Sequence, residues 1–214
     1  MVIGFVGGFV RRDDQRHPEL HLIRALEREH PDVYFALLEN KKVGVAYHSI
    51  LKRLGADEYG IVPEENKKNA RILLFGHSWG ASAAIALSRR LQRAGIPVTL
   101  TVQVDSVAKP GRDDGLIPAN VLQAVNFYQA RGLIRGRSTI AAADPARTTI
   151  LGNFRREYKR QPEACRAFPW YARVFTKDHI AIECDPELWF EIRSLLVQNL
   201  QPQLALNASA QPVN

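Results

Sequence analysis

The stretch from residue 71 to residue 87 restricts the fold of this chain more than any other. The run Arg71-Ile-Leu-Leu-Phe75 leads into Gly76-His-Ser-Trp-Gly80, and mostly small residues follow from Ala81 to Leu87. A short apolar run predicts a buried strand, the Gly-x-Ser-x-Gly sequence predicts a sharp turn, and the run of small residues predicts a helix. Ser78 is therefore expected at the tip of a strand-to-helix turn.

The two glycines of this turn have a steric reason. A serine at the tip adopts a strained backbone, and a side chain two residues away on either side would collide with the opposite limb. Gly76 and Gly80 remove those side chains, as a nucleophile elbow requires. The following helix starts beneath Ser78, so the Trp79 N–H is directed at negative charge developing there. A glycine-flanked turn with a surface serine is the alternative interpretation.

Strands and helices alternate along the chain. Strands are predicted at 2–6, 33–38, 71–75, 98–104, 124–128 and 173–176, with a further candidate at 138–143. Helices are predicted at 17–29, 46–54 and 81–94, briefly around 121–122, and from 186 onward. This order predicts an α/β fold with a mostly parallel sheet of about six strands and helices on both faces. A single domain is expected over residues 1–200, with a flexible tail over 201–214.

A second set of backbone donors is expected after the first strand, where Gly7-Gly8-Phe9 follow. The loop after this strand lies beside the elbow in an α/β sheet, and a Gly-Gly turn lets its N–H groups face the same position. Phe9, with Gly8 beside it, and Trp79 are therefore the candidate oxyanion hole. A glycine turn of purely structural use is the alternative.

A serine nucleophile needs a base that is neutral near pH 7 and can take up a proton, which selects histidine. Five histidines lie in early helices or within the elbow, where the ring is expected to point away from the reacting edge: His17, His21, His30, His48 and His77. Only His179 lies between the last predicted strand and the last helix. We predict that His179 is the base, with a surface loop histidine as the alternative.

The third group must be a carboxylate on the same edge of the sheet, where it orients the histidine and stabilises its cation. Asp105 directly follows the predicted strand 98–104, and the carboxyl ends of parallel strands form the edge where ligands bind. Asp144 is the alternative acid, because a strand at 138–143 would deliver it to the same edge. The sequence favours Asp105 and leaves Asp144 open.

Together these residues resemble the α/β-hydrolase superfamily, and within it the small bacterial lipase/esterase and thioesterase-like branch. The resemblance covers about Val2 to Leu200 and rests on the elbow, on Gly7-Gly8-Phe9 and on Asp178-His179. It implies a minimal α/β-hydrolase fold and a serine hydrolase that cleaves a lipid-like or small acyl ester through a Ser-His-Asp triad and an acyl-enzyme. A thioesterase is the nearest variant.

The chain departs from the superfamily pattern in three places. The acid usually follows the strand after the one that ends at Asp105, which keeps Asp144 open. The usual His-Gly before the oxyanion residue is replaced by Val6-Gly7, and the short N-terminus is expected to leave no room for the two leading antiparallel strands.

Positive charge is concentrated in residues 131–177, which hold eleven lysines and arginines against three acids, while the whole chain has a net charge of +7. Such a surface attracts anions. We interpret segment 131–173 as a candidate basic lid that steers acidic acyl substrates. A non-catalytic α/β-hydrolase-fold module that binds an anionic partner is the alternative function. No nucleic acid partner is expected, because the basic residues lack aromatic interleaving or a recognition-helix pattern.

Cys165 and Cys184 are too few for a disulfide framework and lack the spacing of a metal site. Two buried thiols are expected rather than a bond between them, and no metal or cofactor is expected. No apolar run approaches the roughly 20 residues that cross a bilayer. Met1 leads into the first strand without a signal peptide, so a cytoplasmic location is expected, although a trimmed leader would leave the same start. The expected partner is a small acyl ester or thioester substrate.

Overall fold

The computed structural model describes residues 1–200, so the predicted tail at 201–214 lies outside the described residues. The strands are β1 (Val2–Val6), β2 (Phe35–Glu39), β3 (Leu73–His77), β4 (Val98–Val104), β5 (Leu116–Ile117), β6 (Val121–Tyr128), β7 (Ala141–Ala142) and β8 (Thr149–Arg155). The helices are α1 (Pro18–Glu29), α2 (Val43–Arg53), α3 (Glu64–Lys68), α4 (Trp79–Arg93), α5 (Trp170–Phe175), α6 (Lys177–Glu183) and α7 (Pro186–Leu200), with a 3-10 helix at Glu163–Ala167.

Six strands form one parallel sheet in the order β2-β1-β3-β4-β6-β8. The strands at its centre are apolar and buried on both faces, as a parallel sheet covered by helices requires. The predicted α/β fold with about six parallel strands is confirmed. Because all strands point the same way, their carboxyl ends meet at one edge of the sheet.

Each face of the sheet has its own apolar core. On one face, residues of α2 and α4 such as Ile50 and Leu87 pack with Phe5 of β1. On the other, residues of α1 and α7 such as Leu26 and Ile192 pack with neighbouring strands. Helices therefore cover both faces, as the sequence predicts. Within residues 1–200, no helix is both long and apolar enough to cross a membrane.

Three predicted elements in the second half of the chain are wrong. Residues 173–176 are not a strand, because Pro169 precedes a helix, α5, that continues to Phe175. The short helix at 121–122 is instead the start of β6, and only residues 141–142 of the candidate strand 138–143 are extended. That two-residue strand, β7, pairs with β5 outside the main sheet.

The sixth strand of the sheet is β8, which lies inside the segment interpreted as a lid. Its residues are half-buried or exposed, and Gly152 falls at its middle. An edge strand covered on only part of its surface carries a weak apolar pattern, which is why the sequence did not predict it. The lid interpretation therefore applies only to the loops on either side of β8, from which Ile134 and Phe168 line the cavity beside Ser78.

Cys165 and Cys184 form a disulfide bond, with their Cα atoms 5.3 Å apart. The expectation of two thiols is therefore wrong. The bond joins the 3-10 helix to the end of α6, two elements whose packing brings the two side chains together although 19 positions separate them in the chain.

Candidate active site

Ser78 lies at the turn between β3 and α4 in a backbone conformation that few residues with a side chain adopt. Its φ is 54° and its ψ is −125°. The Ser78 N–H donates to the carbonyl of Val104 at 2.9 Å, which ties the turn to the end of β4. A strained residue of this kind costs about 1–3 kcal/mol and persists only where the surroundings hold it in place.

The surroundings of Ser78 leave no room for side chains at the two glycines of the turn. A Cβ on Gly80 would lie 2.0 Å from the carbonyl oxygen of Phe5 in β1. A Cβ on Gly76 would lie 2.4 Å from the carbonyl carbon of Gly80. The first turn of α4 therefore packs directly on the sheet backbone, and both positions accept only glycine.

Asp105 and His179 form a buried pair at the same edge of the sheet. Asp105 follows β4 directly, with a φ of 43°, and its Oδ2 accepts a hydrogen bond from His179 Nδ1 at 2.6 Å. When the ring donates through Nδ1, the lone pair on Nε2 is left to accept a proton.

Further hydrogen bonds hold the Asp105 carboxylate in one orientation. The backbone N–H groups of Gln129 and Gly136 donate to Oδ1 at 3.2 and 2.9 Å, and the Gln129 side chain donates to Oδ2 at 2.9 Å. A Cβ on Gly136 would lie 2.2 Å from Oδ1 of Asp105, so a glycine is needed for this close approach. Loops after β4 and β6 thus fix the acid that orients His179.

Asp144, the alternative acid, lies away from His179. Its carboxylate accepts the N–H of Ala146 within its own turn, at 3.0 Å. Thr148, a few residues later, donates to the carbonyl of Val121, the first residue of β6. This turn is therefore at the amino end of β6, the edge of the sheet opposite to the one that carries Asp105.

His179 lies within α6 and not in the loop that the sequence indicates. Its ring packs against that of His77, with the ring centroids 4.5 Å apart. The expectation that His77 points away from the site is wrong, because both rings line the same cavity as Ser78. His77 is the last residue of β3, so it lies at the carboxyl edge of the sheet, where the cavity is.

The loop after β1 lies directly against the elbow. A Cβ on Gly7 would come within 3.2 Å of the Ser78 Cβ, and the Phe9 and Trp79 rings meet edge to face at 5.3 Å. The side-chain amide of Asn40 donates to the Gly8 carbonyl at 2.5 Å and holds the loop from the end of β2. Gly7, Gly8 and Phe9 therefore border the space beside the Ser78 side chain, as predicted from the sequence.

Ser78 and His179 open on a cavity of about 470 Å³. Much of its wall is apolar and comes from the loops after β1 and β4, from the elbow and from the segment around α5: Phe9, Val10, Trp79, Val107, Phe168 and Tyr171. Arg16 also lines the cavity, and its guanidinium is paired with the carboxylate of Asp14. The predicted lid contributes Ile134, Phe168, Pro169, Tyr171 and Ala172 to this cavity. Two of its arginines, Arg155 and Arg156, instead form ion pairs with Glu157 and Glu191.

A group of buried ionisable side chains continues from the cavity towards α1. His17 Nδ1 lies 2.5 Å from Glu183 Oε1, and His77 Nδ1 lies 3.5 Å from Glu183 Oε2. Burial disfavours the charge on Glu183, but the nearby His77 and the hydrogen bond from His17 outweigh it and lower the Glu183 pKa. Burial likewise disfavours the His17 cation, but the hydrogen bond to Glu183 outweighs it and raises the His17 pKa.

Two members of this group are neutral near pH 7. Burial, reinforced by the neighbouring charge of Glu183, raises the pKa of Glu19 to about 8. Burial lowers the pKa of His77 to about 4, in spite of the negative charge on Glu183. The ring that packs on His179 is therefore an uncharged one, which avoids repulsion when His179 takes up a proton.

The sequence did not single out His17, Glu19 or Glu183 as site residues. A signal was present in α1, where Glu19 shares one helical face with Ile23 and Leu26 and is buried with them. Glu183 similarly follows Ile180, Ala181 and Ile182, which are all buried. An acid in such an apolar position is a candidate for a functional group.

The sequence has no counterpart in two comparisons with known proteins. No model of a known protein family matches the chain, and no curated protein matches it at a significant level.

Proposed function

We propose that this protein is a serine hydrolase that cleaves a carboxylic ester through Ser78, His179 and Asp105. The observation that carries the proposal is the strained Ser78 at the end of β3, which shares a cavity with a histidine already hydrogen-bonded to a buried aspartate. A serine, a histidine and an acid in this relation are the parts of an acyl-transfer triad.

In the proposed reaction, Ser78 Oγ attacks the ester carbonyl carbon while His179 Nε2 takes the hydroxyl proton. The tetrahedral intermediate collapses, His179 gives that proton to the leaving alcohol, and the acyl group remains on Ser78. Water then attacks the acyl-enzyme, with His179 again as base, and the acid is released. Asp105 stabilises the His179 cation during both steps and fixes the ring orientation.

The oxyanion of the tetrahedral intermediate would be held by backbone N–H groups. The first candidate is Trp79, which begins α4, so that the positive end of the helix dipole adds to its N–H. The second is Phe9, or Gly8 beside it, in the loop that borders Ser78. Each donor of this type is worth about 10²–10³ in kcat in other enzymes.

The cavity supports an ester with a small or medium acyl group. Its volume of about 470 Å³ and its apolar wall suit an acyl chain. A thioester has the same carbonyl geometry and would use the same residues, so thioester cleavage is the nearest variant of the proposal.

Labelling with a fluorophosphonate probe tests the proposal, because the probe reacts covalently with an activated serine. Native protein should be labelled on Ser78, and Ser78→Ala should not react. Ser138→Ala is the matched control, since Ser138 is exposed and is not among the residues that line the cavity of Ser78. No labelling of the folded native protein would refute the nucleophile and favour the module that binds an anionic partner.

A further inference from the structure

Three buried ionisable side chains lie together beside the active-site cavity, and one of them, Glu19, has no side-chain partner among the described residues. His17, Glu19 and Glu183 each offer a ligand atom, and these atoms lie within 4.8 Å of one another. Glu19 is completely buried. Apart from its own backbone N–H, neither carboxylate oxygen of Glu19 has a hydrogen-bond partner in the part of the chain that is described. A buried polar group without a partner is costly and needs an explanation.

We propose that His17, Glu19 and Glu183 bind a divalent transition-metal ion of the Zn²⁺ or Mn²⁺ class. Imidazole nitrogens and carboxylate oxygens bind such ions at about 2.0–2.2 Å, so two ligands of one ion lie at most about 4.4 Å apart. Small side-chain rotations bring atoms that are already within 4.8 Å into this range. A bound ion would give Glu19 the contact that its oxygens otherwise lack.

The charges of the site favour a divalent cation. When a metal ion displaces the proton of Glu19, Glu19 and Glu183 together carry two negative charges, and His17 can supply only one positive charge. A divalent ion balances both carboxylates and leaves His17 as a neutral ligand. Glu183 is the last residue of α6, where the helix dipole favours a cation, whereas Glu19 is in the first turn of α1, where it does not. The two helix ends offset each other.

Further polar side chains surround the three ligands. His17 faces Glu183 through Nδ1, and its other nitrogen, Nε2, lies 3.7 Å from Oδ2 of Asp14. Metal-binding histidines usually donate their second N–H to a carboxylate; here Asp14 is paired with Arg16, and its 3.7 Å contact with His17 is longer than a hydrogen bond. His77 brings a further nitrogen to within 3.5 Å of Glu183 Oε2, and within residues 1–200 neither of its ring nitrogens makes a hydrogen bond.

An ion can reach this site from the active-site cavity. His17, His77 and Glu183 line the cavity that also holds Ser78 and His179, while Glu19 lies behind them. The site is distinct from the proposed triad, because none of its three ligands is Ser78, Asp105 or His179. The inference therefore does not depend on the proposed hydrolase activity.

The test is titration of the chelator-treated full chain with Zn²⁺ by calorimetry and with Co²⁺ by visible absorption. We expect one ion per chain, Co²⁺ bands typical of nitrogen and oxygen ligands, and a rise in Tm on adding Zn²⁺. Glu19→Gln should weaken binding at least tenfold and reduce the Tm rise at the same Zn²⁺ concentration. Glu27→Gln removes the same charge from an exposed position on α1 and should bind like wild type.

Two further variants separate the possible results. His17→Gln should lose affinity as Glu19→Gln does, which keeps the test informative if one variant folds poorly. Ser78→Ala should retain full metal affinity even though it would lose probe labelling. Absence of saturable binding to the wild type, or equal affinity in folded Glu19→Gln and Glu27→Gln, would overturn the metal site.

Discussion

His179 and Asp105, 74 residues apart in the chain, meet at a hydrogen bond of 2.6 Å between Nδ1 and Oδ2. Asp105 is placed by the end of β4, and His179 by a helix that follows two further strands of the sheet. The pair therefore depends on the whole second half of the fold. Both oxygens of the Asp105 carboxylate also accept hydrogen bonds from groups other than His179, namely from Gln129 and Gly136.

Replacement of the acid tests this relationship. Asp105→Asn keeps the side-chain shape but no longer stabilises the His179 cation, so ester turnover should fall by about 10⁴-fold in kcat. Asp144→Asn should leave turnover unchanged, because Asp144 bonds only within its own turn among the contacts described. Steady-state hydrolysis of a chromogenic ester measures both variants. A large loss in Asp144→Asn with none in Asp105→Asn would reverse the assignment.

The first half of the fold could be predicted because its signals are local. Gly76 and Gly80 flank Ser78 at a spacing that sterics require. The strand before Asp105 alternates apolar and polar residues over its whole length. The parallel sheet follows from the alternation of such strands with helices. Ser78 and Asp105 could therefore be placed at one edge without knowledge of side-chain contacts.

The second half could not be predicted because its signals are tertiary. β8 is an edge strand with a weak apolar pattern, and the end of α5 with the residue after it, Arg173 to Thr176, has a composition that suits a strand. The sequence indicated His179 by its position before the last helix, but it placed the residue in a loop and the structure has it in α6. The contact of Glu183 with His17 joins residues 166 positions apart, and no local pattern encodes it.

The glycine at position 80 should be a strict requirement for folding. Gly80→Ala places a Cβ 2.0 Å from the Phe5 carbonyl oxygen, and α4 cannot move without losing its packing on the sheet. We expect a loss of about 3 kcal/mol or more in the free energy of unfolding, measured in urea. Gly44→Ala, in α2, is the control, because the added Cβ would meet only Nη1 of Arg90, at 3.4 Å. Equal stability of the two variants would contradict the packing described.

Glu19 should make the metal-free protein less stable as the pH rises. Its pKa is about 8 in the folded protein and ordinarily 4.5, so the folded chain holds a proton that the unfolded chain releases between these values. The destabilisation is absent below pH 4.5, grows by about 1.4 kcal/mol per pH unit and is complete above pH 8.

Glu19→Gln removes this titration and isolates it from other groups such as His77, whose lowered pKa acts in the opposite direction. Urea unfolding with chelator should be measured at pH 5, 6, 7 and 8. Over this range the free energy of unfolding of the variant, relative to that of wild type, should rise by a few kcal/mol. Glu27→Gln should follow wild type at every pH. Parallel curves for wild type and Glu19→Gln would show that Glu19 ionises normally.

The Cys165–Cys184 bond should stabilise the elements that carry His179. It closes a loop with a sequence separation of 19 and ends at the residue after α6, so its loss should cost about 3 kcal/mol of unfolding free energy. When the protein is unfolded in denaturant without reductant, thiol titration should find no free thiol. A phosphine reductant should lower the Tm of wild type but not that of the Cys165→Ala/Cys184→Ala double variant, which should already melt at the lower temperature. Two titratable thiols and a Tm insensitive to reductant would restore the expectation of unpaired cysteines.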